Sequence, residues 1–323
     1  MTLRSLIAGI GGYLPERVLD NPALAEAHGL DTTDEWIVER TGIRRRHIAA
    51  PGETASAMGA EAARAALAHA GLPAEAVDLV VVATATPDSA FPATAVRIQG
   101  ALGIARGFAF DVSAACTGFI YALGIADSLI RTGQARCALV IGTEVYSRIL
   151  DWTDRGTCVL FGDGAGAVVL AATEAKDGRG ILSTHLHSDG RHGDILQVEG
   201  GAGSTGGAGL LRMAGKEVFR HAVAKLAAVV DEALAANGLG HEDVRWLVPH
   251  QANLRIIDAM GRKLKLPPER VVVTVDRHAN TSAASIPLAL ADAVATGRLE
   301  RGDLIVMEAI GGGLTWGAAL ARY

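Results

Sequence analysis

Short unbroken apolar runs recur along the chain: Leu79-Val80-Val81-Val82, Ala138-Leu139-Val140-Ile141, Trp246-Leu247-Val248 and Leu304-Ile305-Val306-Met307. Their length and branched side chains predict strands buried on both faces, as in the central sheets of α/β proteins. Longer Ala- and Leu-rich stretches precede two of them and read as helices. The first apolar segment, Leu6 to Leu14, reads as an opening strand and turn, because Pro15-Glu16-Arg17 stands where a signal peptide would carry small cleavage-site residues.

The pattern occurs twice. Ala65-Ala66-Leu67-Ala68-His69-Ala70-Gly71-Leu72, running through Val77 into Leu79, aligns without gaps on Glu232-Ala233-Leu234-Ala235-Ala236-Asn237-Gly238-Leu239, running through Val244 into Trp246, at an offset of 167 residues. At nearly the same offset Ser113-Ala114-Ala115-Cys116 matches Ser282-Ala283-Ala284-Ser285, and Ala138 to Ile141 matches Leu304 to Met307. Helix-then-strand units in matching order predict a duplicated α/β fold. The seam is expected at the polar stretch Thr173 to Gly178, dividing the chain into halves 1–173 and 174–323. Each half supplies one central helix, and a pseudo-twofold axis brings the two helix starts together, with Cys116 opposite the Asn280 segment.

Of the 323 residues half are apolar and a fifth charged, which describes a globular protein with room for two cores or one extended one. A net charge of −5 argues against general nucleic-acid binding, and no apolar run is long enough to span a membrane as a helix. Cys116, Cys137 and Cys158 form neither a CxxC pair nor a metal spacing, so a reducing, cytoplasmic setting is expected.

Chemistry concentrates in three segments. Asp111-Val112-Ser113-Ala114-Ala115-Cys116-Thr117-Gly118 sets a lone thiol where an extended segment enters an apolar helix, whose unpaired N–H groups are expected to lower its pKa. Pro249-His250-Gln251-Ala252-Asn253 follows an apolar strand, and His278-Ala279-Asn280-Thr281 opens a second apolar helix. Singly, Cys116 reads as a buried structural cysteine, His250 as a turn anchor and Asn280 as a helix cap. Together, at element ends related by the repeat, they read as a nucleophile with two polar partners.

Other motifs carry less. Phe161-Gly162-Asp163-Gly164-Ala165-Gly166 imitates a dinucleotide fingerprint but leads into the strand-like Val168-Val169-Leu170 rather than a helix, so nucleotide binding there is not expected. His185, His187, Asp189 and His192 suggest a metal only weakly and read better as a strand edge with a polar turn. Residues 200–209 are glycine-rich and read as a mobile surface loop.

From Asp34-Glu35-Trp36-Ile37-Val38 and Arg40-Thr41-Gly42-Ile43 to Gly311-Gly312-Gly313-Leu314-Thr315-Trp316-Gly317, the chain resembles the β-ketoacyl-acyl-carrier-protein synthase III family, the initiating condensing enzymes of dissociated fatty acid synthesis. The resemblance implies a thiolase fold of two similar halves in a five-layered αβαβα arrangement, usually a homodimer. It implies condensation of a short acyl-CoA, typically acetyl-CoA, with malonyl-acyl carrier protein, with no cofactor, metal, nucleic-acid or membrane partner. Cys116, His250 and Asn280 match the catalytic set, and the backbone N–H groups of Cys116 and Gly312 match the oxyanion donors. Trp36 and Arg155 match residues that sandwich the CoA adenine. Thr32, Arg40 and Gly156 match their neighbours, and Met213, Gly215, Phe219 and Asn253 the pantetheine tunnel. Arg220, Gln251, Arg255, Arg262 and Lys263 are expected to meet the acidic carrier protein. Phe91 corresponds to a residue reaching across the dimer to the acyl pocket. Ile310 and Leu314 replace aromatics found in many members, and Lys216 replaces a frequent Asn. The same fold also serves acyl transfer to amines, alcohols or other carbanions in secondary metabolism, and decarboxylating relatives without the nucleophile suggest a non-catalytic carrier-protein or CoA-binding role, against which the intact Cys116 weighs.

Overall fold

In the computed structural model, which describes residues 3–174 and 177–323, each half of the repeat builds a sheet of the same order. The first runs Arg4–Tyr13, Gly164–Thr173, Cys137–Glu144, Leu79–Ala83, Phe108–Val112. The second runs Gly180–Ser188, Thr315–Arg322, Leu304–Gly311, Trp246–Pro249. In both, the apolar runs form the parallel pairs, Leu79–Ala83 with Cys137–Glu144 and Trp246–Pro249 with Leu304–Gly311, while the strands beyond Cys137–Glu144 and Leu304–Gly311 are antiparallel. Phe108–Val112 has as its counterpart only a single parallel bridge, Leu247 to Val271. The expected seam includes Ala175 and Lys176, which lie outside the described residues.

Five layers result. Ala55–Ala70 and Thr94–Ala101 cover the outer face of the first sheet, and Gly215–Ala236 with Leu254–Lys263 cover the outer face of the second. Between the sheets lie the two helices Gly118–Arg131 and Ser285–Ala295. Sandwiched on both sides, they are apolar nearly all round: Phe119, Ile120, Leu123 and Ile130 in one, Ile286, Leu288 and Leu290 in the other are buried. Each such side chain contributes about 1.5–3 kcal/mol by leaving water. Close approach of the layers requires glycine: a Cβ on Gly142 would stand 2.1 Å from the Ala283 carbonyl oxygen, and one on Gly166 2.7 Å from the Leu288 nitrogen. Gly166 belongs to the fingerprint-like run, so that run serves helix packing, and Gly164–Thr173 is a strand as expected.

The two halves superpose in one register. Leu79 and Trp246 both open strands, as do Cys137 and Leu304, and Gly118 and Ser285 both open the central helices, so one offset of 167 holds for the parallel strand pairs and the central helices. Ala115 and Ser282 repeat the same left-handed backbone, with φ of 45° and 49°. The counterpart of Cys116 is therefore Ala283, not Ser285. The direct match of Ser-Ala-Ala-Cys to Ser-Ala-Ala-Ser slipped by two residues on shared small side chains, and the strand match by one.

Two further expectations meet the structure. The glycine-rich stretch is the exposed tip of a hairpin: Leu196–Gly201 and Gly207–Met213 pair antiparallel, with Val198 opposite Leu211 and Leu196 opposite Met213, and 202–206 form the surface turn between them. His185 and His187, on the strand Gly180–Ser188, each contact one oxygen of Glu232 at 3.0 and 2.7 Å, tying this edge to the helix Gly215–Ala236. Among the described residues no cluster of three or more His, Cys, Asp or Glu is arranged to hold a metal, and no helix is long and apolar enough to cross a membrane.

Candidate active site

Cys116 sits in a single 3-10 turn, Ala115–Thr117, between the strand Phe108–Val112 and the helix Gly118–Arg131. The turn packs on its repeat counterpart Ser282–Ala284, which brings the two central helix starts together as the pseudo-symmetry demands. Holding the non-glycine Ala115 and Ser282 left-handed costs about 1–3 kcal/mol each, a strain the packed layers must offset. The Gly311–Gly313 loop lies against this turn, and a Cβ on Gly311 would stand 2.7 Å from the Cys116 nitrogen. Thr315 fastens the loop: its Oγ1 donates to the Ala114 carbonyl at 3.0 Å, and Thr117 Oγ1 donates to the Thr315 carbonyl at 2.9 Å.

Burial pushes the Cys116 thiol up to about 12. The expectation of a lowered pKa is thus overturned, because loss of water outweighs the partial charge of the helix start. The Ser282 and Tyr146 hydroxyls favour the thiolate and Glu144 opposes it. Glu144 is itself fully buried and raised to about 7, although Thr86 Oγ1 and the Ala85 N–H donate to it.

His250 follows the strand Trp246–Pro249, and its backbone N–H donates to the Glu308 carbonyl at 2.8 Å. Its Nδ1 lies 2.7 Å from Ser285 Oγ, whose oxygen also accepts the Gln251 N–H. With the Ser285 hydroxyl donating to Nδ1, Nε2 carries the imidazole proton. Burial lowers the His250 pKa to about 3, so the ring is neutral. Asn280 is clamped by its backbone: its N–H donates to Leu160 at 2.9 Å and its carbonyl accepts from Gly162 at 3.0 Å. Its Oδ1 accepts the Ser282 N–H at 2.9 Å, a bond two residues along the chain rather than a helix cap, and among the described residues its Nδ2 hydrogens have no partner and can serve as donors.

Cys116, His250 and Asn280 line one cavity of about 860 Å³, together with Gly312 and Ile310. Met213, Gly215, Phe219 and Asn253 line it too, with Arg40, Gly156, Lys216 and Arg255. Asn253 caps the helix Leu254–Lys263 through Oδ1, at 3.1 Å from the Ile256 nitrogen. The hairpin Leu196–Met213 supplies a wall that motif reading missed, through Leu196, Val198 and Leu211. Tyr146 and Ser285 were missed as well. Tyr146 carries no motif, whereas the Ser-Ala-Ala-Ser run drew attention to Ser285 for the wrong partner.

Other expected site residues stand elsewhere. Trp36 lies outside the cavity, beneath two guanidinium groups, Arg40 at 4.4 Å and Arg155 at 5.0 Å from its ring centre. An adenine between Trp36 and Arg155 would require Arg155 to move outward. Thr32 is half-buried nearby. Arg220, Arg262 and Lys263 are exposed beyond the cavity, while Arg255 packs 5.7 Å from the Phe219 ring. Gln251 corrects the reading of a carrier contact: it is 1% exposed, and its side chain bonds to the backbone of Pro249, Val272, Thr274 and Val275. It staples the His250 turn to the segment leading to Asn280. Leu314 is fully buried in the outer core of the second sheet and does not line the cavity. Phe91 is 85% exposed on the surface of the chain.

Family models for 3-oxoacyl-[acyl-carrier-protein (ACP)] synthase III match residues 110–190, and for its C-terminal part residues 234–323. The chain is 66% identical over 320 residues to the beta-ketoacyl-[acyl-carrier-protein] synthase III of Acidiphilium cryptum, covering 99% of each chain. It is 66% identical over 325 residues to that of Rhodospirillum centenum, covering 100% of each. Among solved structures it is similar to 3-oxoacyl-[acyl-carrier-protein] synthase III from Aquifex aeolicus, with a TM-score of 0.93, 48% identity and coverage of 99% and 100%. It is also similar to the priming beta-ketosynthase of the R1128 polyketide pathway, with a TM-score of 0.92, 39% identity and coverage of 98% and 95%.

Proposed function

The chain belongs to the β-ketoacyl-acyl-carrier-protein synthase III family, the thiolase-fold acyltransferases that make the initiating condensation of fatty acid synthesis, and from that premise we propose how its own residues carry the reaction. The supporting observation is that Cys116, His250 and Asn280, drawn from separate elements, line one cavity with the imidazole neutral and the carboxamide N–H group free. On this reading the chain works as two thiolase-like halves, 1–173 carrying the nucleophile and 174–323 carrying the donors.

In the first half-reaction Cys116 gives up its proton, its sulfur attacks the carbonyl carbon of a short acyl-CoA, and the bond to the CoA sulfur breaks as CoA leaves with the proton. The N–H groups of Cys116 and Gly312 stabilise the oxyanion. In the second, the carboxylate of malonyl-acyl carrier protein departs as CO2, and the enolate oxygen left behind accepts hydrogen bonds from His250 Nε2–H and Asn280 Nδ2–H. The enolate carbon attacks the acyl group, Cys116 leaves as thiolate and then regains a proton from water. Two neutral donors suit this step, because neither surrenders a proton to quench the carbanion. The product is a 3-oxoacyl-acyl carrier protein, acetoacetyl when the primer is acetyl-CoA. Acetyl is the primer the reading favours, with Ile310 and a Phe91 from a second copy bounding its pocket. The exposure of Phe91 and of the edge-strand residue Phe108, at 40%, supports a homodimer. The exposed Arg262 and Lys263, with Arg220 and Arg255, form a cationic rim suited to an acidic carrier in the cytoplasm.

Brief incubation with acetyl-CoA should raise the intact mass by one acetyl group, and Cys116→Ala should abolish the gain. Acetylation that persists in the variant would sink the assignment.

A further inference from the structure

Asn280 lies between the short helix Val275–His278 and the 3-10 turn Ser282–Ala284, and its backbone hangs on a strap, residues 159–163, of which Leu160 and Phe161 line the cavity. The Leu160 carbonyl and the Gly162 N–H clamp it, and Phe161 pairs with it as a parallel bridge. One end of the strap is pinned by Asp163, whose carboxylate accepts the Ala49 N–H at 2.7 Å and the Ser147 hydroxyl at 2.6 Å. The other end is pinned by Arg46. This side chain, on the strand Arg45–Ile48, is fully buried. Its Nη2 donates to the Val159 carbonyl at 2.9 Å and its Nη1 to the Leu19 carbonyl at 3.2 Å, while its Nε is buried without a partner among the described residues. The strap packs on its stem, since a Cβ on Gly162 would stand 3.1 Å from Arg46 Cβ.

A buried guanidinium held only by carbonyl oxygens is costly, and filling this space does not require a charge. Burial lowers its pKa to about 10, which leaves it a cation at neutral pH. What the planar fork supplies is two donors at a fixed separation for carbonyls on two segments, where an apolar side chain would leave the Val159 oxygen without its donor. We propose that Arg46 is a positioning residue for decarboxylation, holding the strap at Val159 so that the Asn280 carboxamide directs its Nδ2 hydrogens at the enolate oxygen. This rests on the reading of Asn280 as an enolate donor and deepens it. The link is short, because the carbonyl that Arg46 holds and the carbonyl that takes the Asn280 N–H belong to adjacent residues. Arg46 itself does not line the cavity, so it acts only through the strap. A displacement of about 1 Å at a reacting group can cost about a hundredfold in rate.

Arg46→Met removes the donors and the charge and keeps an apolar side chain in the space. It should lower kcat for decarboxylation of malonyl-acyl carrier protein by about tenfold or more with KM little changed, while acetylation of Cys116 stays within about threefold of the wild type. In the Asn280→Ala background the same substitution should cost less than about twofold, because the group it positions is gone. A loss of equal size in both backgrounds would overturn the proposal and make Arg46 a general support of the fold. Amide hydrogen exchange gives a second readout that needs no turnover: in Arg46→Met the peptides carrying Gly162 and Asn280 should exchange about tenfold faster, and those from the helix Gly215–Ala236 at the wild-type rate. Unchanged exchange at Gly162 and Asn280 would also overturn it. If Asn280→Ala decarboxylates like the wild type, the parent reading fails and the role of Arg46 in the reaction goes with it, while exchange still reports whether Arg46 holds the strap. Should Arg46→Met not fold, Arg46→Lys, which keeps the charge and loses the fork, carries the same comparison with an expected loss of about threefold or more in kcat.

Discussion

Replacing Glu308 by glutamine should flatten the dependence of stability on pH between about pH 5 and pH 8.5. Glu308 lies on the central strand Leu304–Gly311, 1% exposed, with its Oε2 lacking a hydrogen-bond partner among the described residues. Burial alone raises its carboxyl from 4.5 to about 8. The unfolded chain therefore ionises this group first, so stability is complete below pH 4.5 and is lost as pH rises toward about 8, where the folded protein also ionises. At about 1.4 kcal/mol per pH unit, the span corresponds to a loss of about 3–5 kcal/mol at its upper end. Glutamine has the same shape and keeps a polar group in the site, so the difference between the two proteins isolates ionisation. The raised carboxyls of Glu144, Asp127 and Asp163 remain in both and cancel. Urea titrations at several pH values supply the measurement, with midpoints converted through a common slope. The variant should gain on the wild type by about 2 kcal/mol or more between pH 5.5 and pH 8. Curves that stay parallel would refute the reasoning and mean that Glu308 ionises normally in the folded protein.

His250→Ala and Asn280→Ala should each slow decarboxylation of malonyl-acyl carrier protein by about two orders of magnitude or more, while Cys116 still accepts an acetyl group. Assays of the two half-reactions check this, and equal loss of both would point to collapse of the cavity. Because Arg255 lines the cavity and packs on Phe219, Arg262→Glu and Lys263→Glu offer the cleaner test of the rim. They should raise KM for malonyl-acyl carrier protein by about fivefold to tenfold and leave that for acetyl-CoA unchanged, and added salt should shrink the difference. Equal effects on both substrates would place these residues in a shared entrance.

The apolar runs, the repeat and the three chemical segments are legible in the sequence because each rests on local order: branched residues in short runs, matching spacing, and a reactive group at an element end. That was enough for a duplicated α/β fold, for the central strands, and for Cys116, His250 and Asn280 as residues to watch, while the five layers came from the family resemblance. Contacts between distant segments were not legible. The register of the repeat was settled by the strained turns at Ala115 and Ser282, whose backbone no composition match conveys. Gln251 has the polarity of a surface residue, yet four backbone groups from two segments surround it, so it fastens the site rather than meeting a partner. The flanks of the glycine-rich stretch became a wall because they pair as a hairpin over the cavity, and the glycines themselves stay in its exposed tip. The ionisation of Cys116 turned on burial by layers from both halves, and a lone segment carries only the helix start that acts in the opposite direction. Sequence alone determined which chemical groups this protein owns and the order of its elements. Tertiary packing decided their solvation and their neighbours, because desolvation and hydrogen bonding depend on what the rest of the chain places around each group.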